Sequence, residues 1–232
     1  GFFASVAGAG FAAVAVTPAR AQRSFSSVID LTHTLSPSFP TFFGTPGIAM
    51  EKRFTLRKNG ANVNWWHVLE HAGTHIDAPF HYSDSGAPLA MIPAEQLVVP
   101  LAVVDVSAKA ARNADYALSK QDLAEWEAKH GRLPDGCCVA MNSGWARHAT
   151  DAGKFAGRDS NDTMHFPGIH PEAAAWLLSE RRVAGLAVDT LSLDHGPSKD
   201  FKTHTVWLPA GRWGIENIAN LDKVPPAGAT LI

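Results

Sequence analysis

The sequence has only two cysteines among its 232 residues, and the two are adjacent. Cys137 and Cys138 match neither the spaced pairs of a zinc ribbon nor a disulfide framework, so we interpret them as buried residues of an apolar strand. An excess of one charge is also lacking, because 20 basic and 22 acidic residues leave a formal net charge of −2. Without a basic field, nucleic acid is not expected as a partner.

Long apolar runs are scarce as well. Residues 1–19 carry no charge but are mostly alanine, glycine and valine, whereas a membrane span usually needs about 20 strongly apolar residues. The stretch ends at Ala19-Arg20-Ala21, which is typical of a secretory signal and its cleavage site. We therefore expect residues 1–22 to be a signal-peptide-like segment without its basic front.

This interpretation sets the expected boundaries and location. Residues 23–232 are expected to form the domain, with no stable membrane association after processing. The predicted location is an exported or periplasmic one, and otherwise the cytoplasm. The chain ends within an apparent apolar strand at 228–232, which favours a clipped C-terminus.

Glycine and proline are scattered without a period, which excludes collagen-like and low-complexity chains. Nearly continuous apolar runs, typical of buried strands, occur at 97–106, 136–142 and 183–190. Helices are predicted to begin after Ser119, with Asp122 completing a variant capping box, and at Pro171. Val28–Thr32 is expected to be a short first strand. The pattern predicts one α/β domain with a mixed sheet or a barrel-like core.

Histidine, by contrast, is abundant, with eleven in the chain. One segment places His67, His71, His75, Asp77 and His81 at odd-numbered positions, whereas its apolar Val68, Ile76 and Phe80 lie at even-numbered ones. In an extended chain these side chains share one face, with His75 and Asp77 roughly 6.6 Å apart. His71 would lie about 13 Å from His75 in a straight chain, too far to share an ion. Bends at Gly73 and Pro79 could bring His71 and His81 in.

Two imidazoles and one carboxylate can hold a metal ion and leave coordination positions open for catalysis. The same set is also the facial triad of non-haem iron oxygenases, which is an alternative from another enzyme class. A third alternative is an exported metal-binding protein without catalytic activity. His81 argues against that third alternative, since a site that only binds metal has no use for a histidine that carries protons.

The pattern His71-x-Gly73-Thr74-His75-x-Asp77-x-Pro79-x-His81 resembles the signature of the metal-dependent cyclase family, which includes bacterial kynurenine formamidase and isatin hydrolase. The resemblance continues through residues 143–145, 165–168 and 189–194. It implies a swivelling β/β/α fold, a homodimer or higher homo-oligomer, and one or two divalent ions, zinc or manganese.

The resemblance also implies roles for single residues. His71, His75 and Asp77 match the family's first metal ligands, and His81 matches its catalytic proton carrier. Two further ligands of the formamidase branch are a histidine and a glutamate twelve residues apart. His204 and Glu216 have that separation here and are predicted to complete the metal site.

The expected reaction is hydrolysis of an amide. A divalent ion polarises a carbonyl and acidifies water, and His81 can carry the proton to the leaving nitrogen. Phe42, Trp65 and Trp66 supply flat apolar surface near the motif and are predicted to bind a small aromatic amide. Phe42 stands where the formamidase branch has a tryptophan, which favours a cyclic amide of the isatin type over an N-formyl amide.

Overall fold

The computed structural model describes residues 25–232, so the signal-peptide-like segment predicted over 1–22 lies outside the described residues. The strands of the described part are β1 Ile48–Phe54, β2 Val63–Val68, β3 His75–Asp77, β4 Val99–Asp105, β5 Ala117–Leu118, β6 Cys138–Asn142, β7 Gly168–Ile169, β8 Gly185–Val188, β9 Trp213–Glu216 and β10 Ala229–Leu231. The helices are α1 Leu56–Asn59, α2 Ser107–Ala110, α3 Lys120–His130, α4 Ala152–Ala156, α5 Pro171–Glu180 and α6 Lys202–Trp207. Within residues 25–232, no helix has the length and apolarity that a bilayer crossing requires.

A six-stranded sheet in the order β10-β4-β6-β8-β9-β3 forms the centre of the domain. Its four inner strands are parallel to one another, whereas β10 and β3 pair antiparallel at the two edges. The predicted α/β domain with a mixed sheet is therefore confirmed. The sheet is open, with two edge strands among the described residues, so the barrel-like alternative does not apply.

The two faces of the sheet are covered differently, as the alternation of side chains along a strand requires. On β4, Ala102 and Val104 belong to the same buried cluster as Leu123 of α3 and Leu177 of α5. The alternate β4 residues pack instead with residues of the loops and of β10 on the other face. Helices thus cover one face and irregular segments the other.

Both predicted helices are present. Ser119 caps α3, because its Oγ accepts from the backbone N–H of Asp122 and the Asp122 carboxylate accepts from the N–H of Ser119. Pro171 occupies the first turn of α5, where its missing N–H costs no hydrogen bond.

The strand predicted over Val28–Thr32 is not formed. The segment lies beside residues 219–220 and makes two hydrogen bonds with them. The N–H of Ala219 donates to the carbonyl of Leu31, and the side-chain amide of Asn220 donates to the carbonyl of Asp30. One backbone bond does not make a ladder, and Val28 is 92% exposed. The apolar residues of the segment therefore do not lead to strand pairing.

β1 and β2 form a separate antiparallel hairpin, with Met50 opposite Trp66 and Glu51 opposite Trp65. Every residue of the two strands except Ile48 is exposed. The hairpin therefore projects from the domain and leaves apolar side chains uncovered on both of its faces.

Candidate metal centre

The histidine-rich segment bends twice, as the sequence predicts. After β2 the chain turns at Gly73, which has a left-handed backbone (φ +70°) and where a Cβ would lie 2.7 Å from Cδ1 of Leu35. The left-handed backbone favours glycine, and a larger residue would also have to displace the Leu35 methyl group. Beyond β3, Pro79 begins a 3₁₀ turn (Pro79–Tyr82) that carries His81.

These bends bring together the side chains of His71, His75 and Asp77. Nδ1 of His71 lies 3.2 Å from Nε2 of His75 and 3.0 Å from Oδ1 of Asp77. Nε2 of His75 lies 3.4 Å from the same oxygen. Nitrogen and oxygen donors this close together can share one ion.

Pairing of β3 with β9 brings the second predicted pair to the same point. His75 lies directly opposite Glu216 in the ladder, and Oε2 of Glu216 is 3.5 Å from Nε2 of His75. His204 enters from α6, with its Nε2 3.1 Å from Oε1 of Glu216 and 3.6 Å from Oδ2 of Asp77. All five residues predicted as ligands thus form one cluster, while their binding of metal stays a prediction.

Asp77 lies at the centre of this cluster and is only 1% exposed. Imidazole nitrogens lie 3.0 to 3.6 Å from its oxygens, but neither oxygen has a hydrogen-bond partner among the described residues. A buried carboxylate without partners is costly unless a cation compensates it. Imidazole and carboxylate are also donors that zinc and manganese accept. The residues present therefore fit a divalent ion.

The cluster offers more than one set of three donors. The donor atoms of His71, Asp77 and His81 all lie within 4.8 Å of one another, and so do those of His75, Asp77 and Glu216. Because Asp77 belongs to both sets, the arrangement is compatible with one ion or with two ions that share this carboxylate.

The electrostatics of the cluster favour positive charge. Burial lowers the pKa of His75, but the carboxylates of Asp77 and Glu216 raise it to about 9. Burial likewise opposes charge on Asp77, yet the imidazoles of His204, His71 and His75 hold the pKa of this carboxyl well below its usual range. Burial and the neighbouring Asp77 raise the pKa of Glu216. Protons or a metal ion can supply the positive charge, so the two compete for this cluster.

Asp194 supports the cluster from behind, a role that the sequence analysis missed. Nδ1 of His204 donates to Oδ2 of Asp194 at 2.6 Å, which leaves Nε2 facing Asp77 and Glu216. A carboxylate in this position fixes the tautomer of an imidazole and raises its basicity toward a metal. The available signal was its place just beyond the carboxyl end of the parallel strand β8, where ligand sites of α/β sheets occur.

His81 lies on the exposed side of the cluster. Its ring centroid is 4.1 Å from that of His71 and 5.9 Å from that of His204. Burial lowers the pKa of His81, and the neighbouring imidazoles lower it further, against the raising effect of Asp77. A neutral imidazole can accept a proton, so the geometry suits the predicted proton carrier. It also allows His81 to act as a further ligand.

Phe42, predicted to bind substrate, contacts a second phenylalanine, Phe201, which lies between it and the cluster. Its ring centroid lies 5.7 Å from that of Phe201, and the Phe201 ring lies 6.0 Å from the ring of His204. Nη2 of Arg158 donates to the Phe42 carbonyl at 3.0 Å, which ties the loop to the body of the domain. Phe201 was not found by the sequence analysis.

Trp65 and Trp66, the other residues predicted to bind substrate, lie on the β1–β2 hairpin and are 56% and 48% exposed. The guanidinium of Arg53 lies 4.4 Å from the centroid of the Trp65 ring. Their neighbours on the hairpin are thus Arg53, Glu51 and Met50, and their substrate-binding role stays a prediction.

A mixed α/β sheet with a cluster of imidazoles and carboxylates at one edge defines an α/β protein with a candidate metal site. The chain belongs to the cyclase family: the family model described as "Putative cyclase" matches residues 29–195. His71, His75, Asp77 and His81 lie within the matched region, whereas His204 and Glu216 lie beyond it.

Two curated relatives show the breadth of the family. The chain is 32% identical over 224 residues to isatin hydrolase of Roseibium aggregatum, covering 88% of this chain and 84% of that protein. It is 25% identical over 210 residues to kynurenine formamidase of Salinibacter ruber, covering 89% and 88%. The chain is therefore related to both kinds of hydrolase.

Solved structures agree with the fold. Isatin hydrolase A from Ralstonia solanacearum superposes with a TM-score of 0.81 at 36% identity, over 87% of this chain and 82% of that one. An isatin hydrolase bound to the product analogue thioisatinate gives a TM-score of 0.80 at 29% identity, over 87% and 83%. The predicted cyclase-type fold is thereby confirmed.

Proposed function

We propose that the chain is a divalent-metal-dependent hydrolase that cleaves the amide bond of an aromatic cyclic amide of the isatin type, with an aromatic N-formyl amide as the second substrate class. One observation carries the proposal: within the described part of the chain, the buried carboxylate of Asp77 has no hydrogen-bond partner and is surrounded by imidazole nitrogens at 3.0 to 3.6 Å. The relatedness to isatin hydrolase over 88% of the chain supports the substrate class.

The proposed ligands are His71, His75, Asp77, His204 and Glu216, for one or two ions of zinc or manganese. A divalent ion bound there supplies Lewis-acid polarisation of a carbonyl oxygen and lowers the pKa of water.

His81, exposed beside the ligands, takes a proton from the attacking water at its imidazole nitrogen and delivers it to the leaving amide nitrogen. The bond from the water oxygen to the carbonyl carbon forms and the C–N bond then breaks. A cyclic amide opens to one product that carries both a carboxylate and an amine, whereas an N-formyl amide gives formate and a free amine. Asp194 keeps His204 oriented throughout.

The test combines metal analysis of the purified protein with assays of isatin and N-formylkynurenine hydrolysis. We expect stoichiometric zinc or manganese, loss of hydrolysis after chelation, and recovery when either ion is returned. Rates should be equal with and without oxygen, since hydrolysis consumes none. A requirement for iron and oxygen would instead support the facial-triad oxygenase. Bound metal with no turnover of any amide would support the non-catalytic binding protein.

We further propose that the chain forms a homodimer through the β1–β2 hairpin. An isolated two-stranded ribbon is marginally stable in water, and this one exposes Met50, Trp65 and Trp66. A second copy of the chain would cover these side chains. Light scattering should detect a dimer for the wild type and for Met91→Glu, an exposed site outside the hairpin, but a monomer for Trp66→Glu. A dimeric Trp66→Glu variant would contradict the interface.

A further inference from the structure

Phe201 has an unusual backbone conformation at the entrance to α6. Its φ and ψ are 46° and 49°, in the left-handed region that bulky residues rarely adopt. Such strain persists only where the surrounding structure imposes it, and it concentrates at functional sites. The anchoring is visible in the residues that follow: Thr203 donates from its N–H to Asp194 at 2.7 Å and from Oγ1 to the carbonyl of Ile169 at 2.6 Å. The direction of the Phe201 side chain is therefore set by a fixed backbone.

That direction aims the ring of Phe201 at the centre of an aromatic surface. Its centroid lies 5.7 Å from the ring of Phe42, 6.3 Å from Tyr82 and 6.0 Å from His204. Tyr82 in turn lies 4.9 Å from His204 and 4.8 Å from His81. These are all contact distances for aromatic pairs. Phe42, Phe201 and Tyr82, called here the aromatic wall, thus run without a break up to the imidazole cluster.

The spacing decides how a ligand could use this wall. At 5.7 Å the rings of Phe42 and Phe201 touch, so a third ring cannot be stacked between them, since a sandwich needs roughly 7 Å between its outer rings. Both residues, and Tyr82, are only half-buried. Each of the three side chains therefore keeps part of its surface accessible, and a flat ring can pack against that surface.

We propose that Phe201 is a specificity-determining residue that binds the aromatic ring of the substrate, together with Phe42 and Tyr82. This inference rests on the proposed amide hydrolysis for the identity of the ligand. The proposal accounts for the position of the strained Phe201 directly before the helix that carries His204. The same anchored turn then positions both the Phe201 ring and the imidazole of His204. A phenylalanine that only fills space would not need this conformation.

The experiment measures binding as well as turnover. Thioisatinate, an aromatic product analogue, is titrated by calorimetry into the metal-loaded wild type and into Phe201→Ala, Phe201→Gly and Phe25→Ala. Phe25→Ala is the matched control, since it removes a 60% exposed phenylalanine. Phe201→Gly removes the same ring as Phe201→Ala but relieves the left-handed backbone, so it provides a folded variant if the alanine variant is perturbed. Steady-state rates with isatin and with pyrrolidine-2,3-dione, which lacks the fused benzene ring, complete the set.

We expect both Phe201 variants to bind thioisatinate about tenfold more weakly, the loss typical of one aromatic contact with its buried area. Phe25→Ala should bind as the wild type does. With isatin, KM should rise more than kcat falls, whereas kcat/KM for pyrrolidine-2,3-dione should not change. Bound metal should be the same in all variants. Wild-type affinity in Phe201→Gly would overturn the proposal, and so would an equal loss of kcat/KM for both diones.

The outcome also separates this inference from the proposed function. If the wild type binds thioisatinate in a Phe201-dependent way but hydrolyses no amide, the proposed hydrolysis fails while the role of Phe201 stands. If it hydrolyses isatin and the Phe201 variants are unaffected, the hydrolase stands and this inference fails. A wild type that neither binds thioisatinate nor hydrolyses isatin overturns both.

Discussion

Asp194 and His204 are joined by a 2.6 Å hydrogen bond between Oδ2 of the carboxylate and Nδ1 of the imidazole. Burial opposes protonation of His204, but the carboxylates of Asp194, Asp77 and Glu216 raise its pKa well above the usual value. A cation that binds at Nε2 of His204 therefore competes with a proton there. Asp194 thus links the anchoring of α6 to the affinity of the site.

Asp194→Ala should weaken metal binding by about 10- to 100-fold, as loss of the carboxylate behind a ligating imidazole commonly does. Asp194→Asn should weaken it less, because the amide oxygen can still accept from Nδ1. Chelator competition at fixed pH measures the affinities. Asp200→Asn, an exposed site in the same loop, is the matched control and should leave the affinity at the wild-type value. Equal affinities in Asp194→Ala and the wild type would show that Asp194 does not orient a ligand.

Asp77→Asn should remove the response of stability to metal. A ligand that binds only the folded state at 100 times its Kd stabilises that state by about 2.7 kcal/mol. Zinc or manganese should therefore raise the Tm of the wild type by several degrees, and the shift should vanish in Asp77→Asn. The exposed Asp84 provides a control, since Asp84→Asn should keep the full shift. A metal-dependent shift of normal size in Asp77→Asn would exclude this carboxylate as a ligand.

His81→Ala should abolish turnover while leaving most of the bound metal in place. General acid–base catalysis contributes about 10²- to 10⁴-fold, so kcat should fall by that range. Metal content by elemental analysis distinguishes this role from that of a ligand, because loss of a ligand would lower both quantities together. His130→Ala, at the exposed end of α3, should keep wild-type activity. Full activity in His81→Ala would refute the proton-carrier role.

Much of the cluster could be predicted because its first half is local in sequence. The odd-numbered positions of His71, His75 and Asp77, together with the bends at Gly73 and Pro79, were enough to predict that these side chains lie close together. Glu216 could be placed only by resemblance, because the pairing of β3 with β9 joins segments distant in the chain. Periodicity within a segment carries no information about which strand becomes its neighbour.

The residues that were missed share a physical reason. Asp194 and Phe201 lie in irregular chain between β8 and α6, where no periodic pattern marks a role. α6 itself is six residues long and contains Thr203, Thr205 and Val206, β-branched residues that weaken the helical signal. Their positions are set by tertiary hydrogen bonds to groups such as the carbonyl of Ile169, which local propensity cannot reveal.

Asp122 should make the stability of the domain sensitive to acid. Although burial opposes its charge, hydrogen bonds from Lys109, Ser119 and Tyr116 lower the pKa of Asp122. Because the folded pKa lies below that of the unfolded chain, the stabilisation is present above about pH 4 and is lost as the pH falls through the folded value. Asp122→Asn should cost about 1 to 3 kcal/mol at neutral pH, because it weakens the hydrogen bonds that the charged carboxylate accepts from Ser119 and Tyr116. Urea unfolding of chelator-treated protein across this range should show the difference from the wild type shrinking in acid. Asp222→Asn, at an exposed site, should show no such convergence, and a pH-independent cost for Asp122→Asn would contradict the linkage.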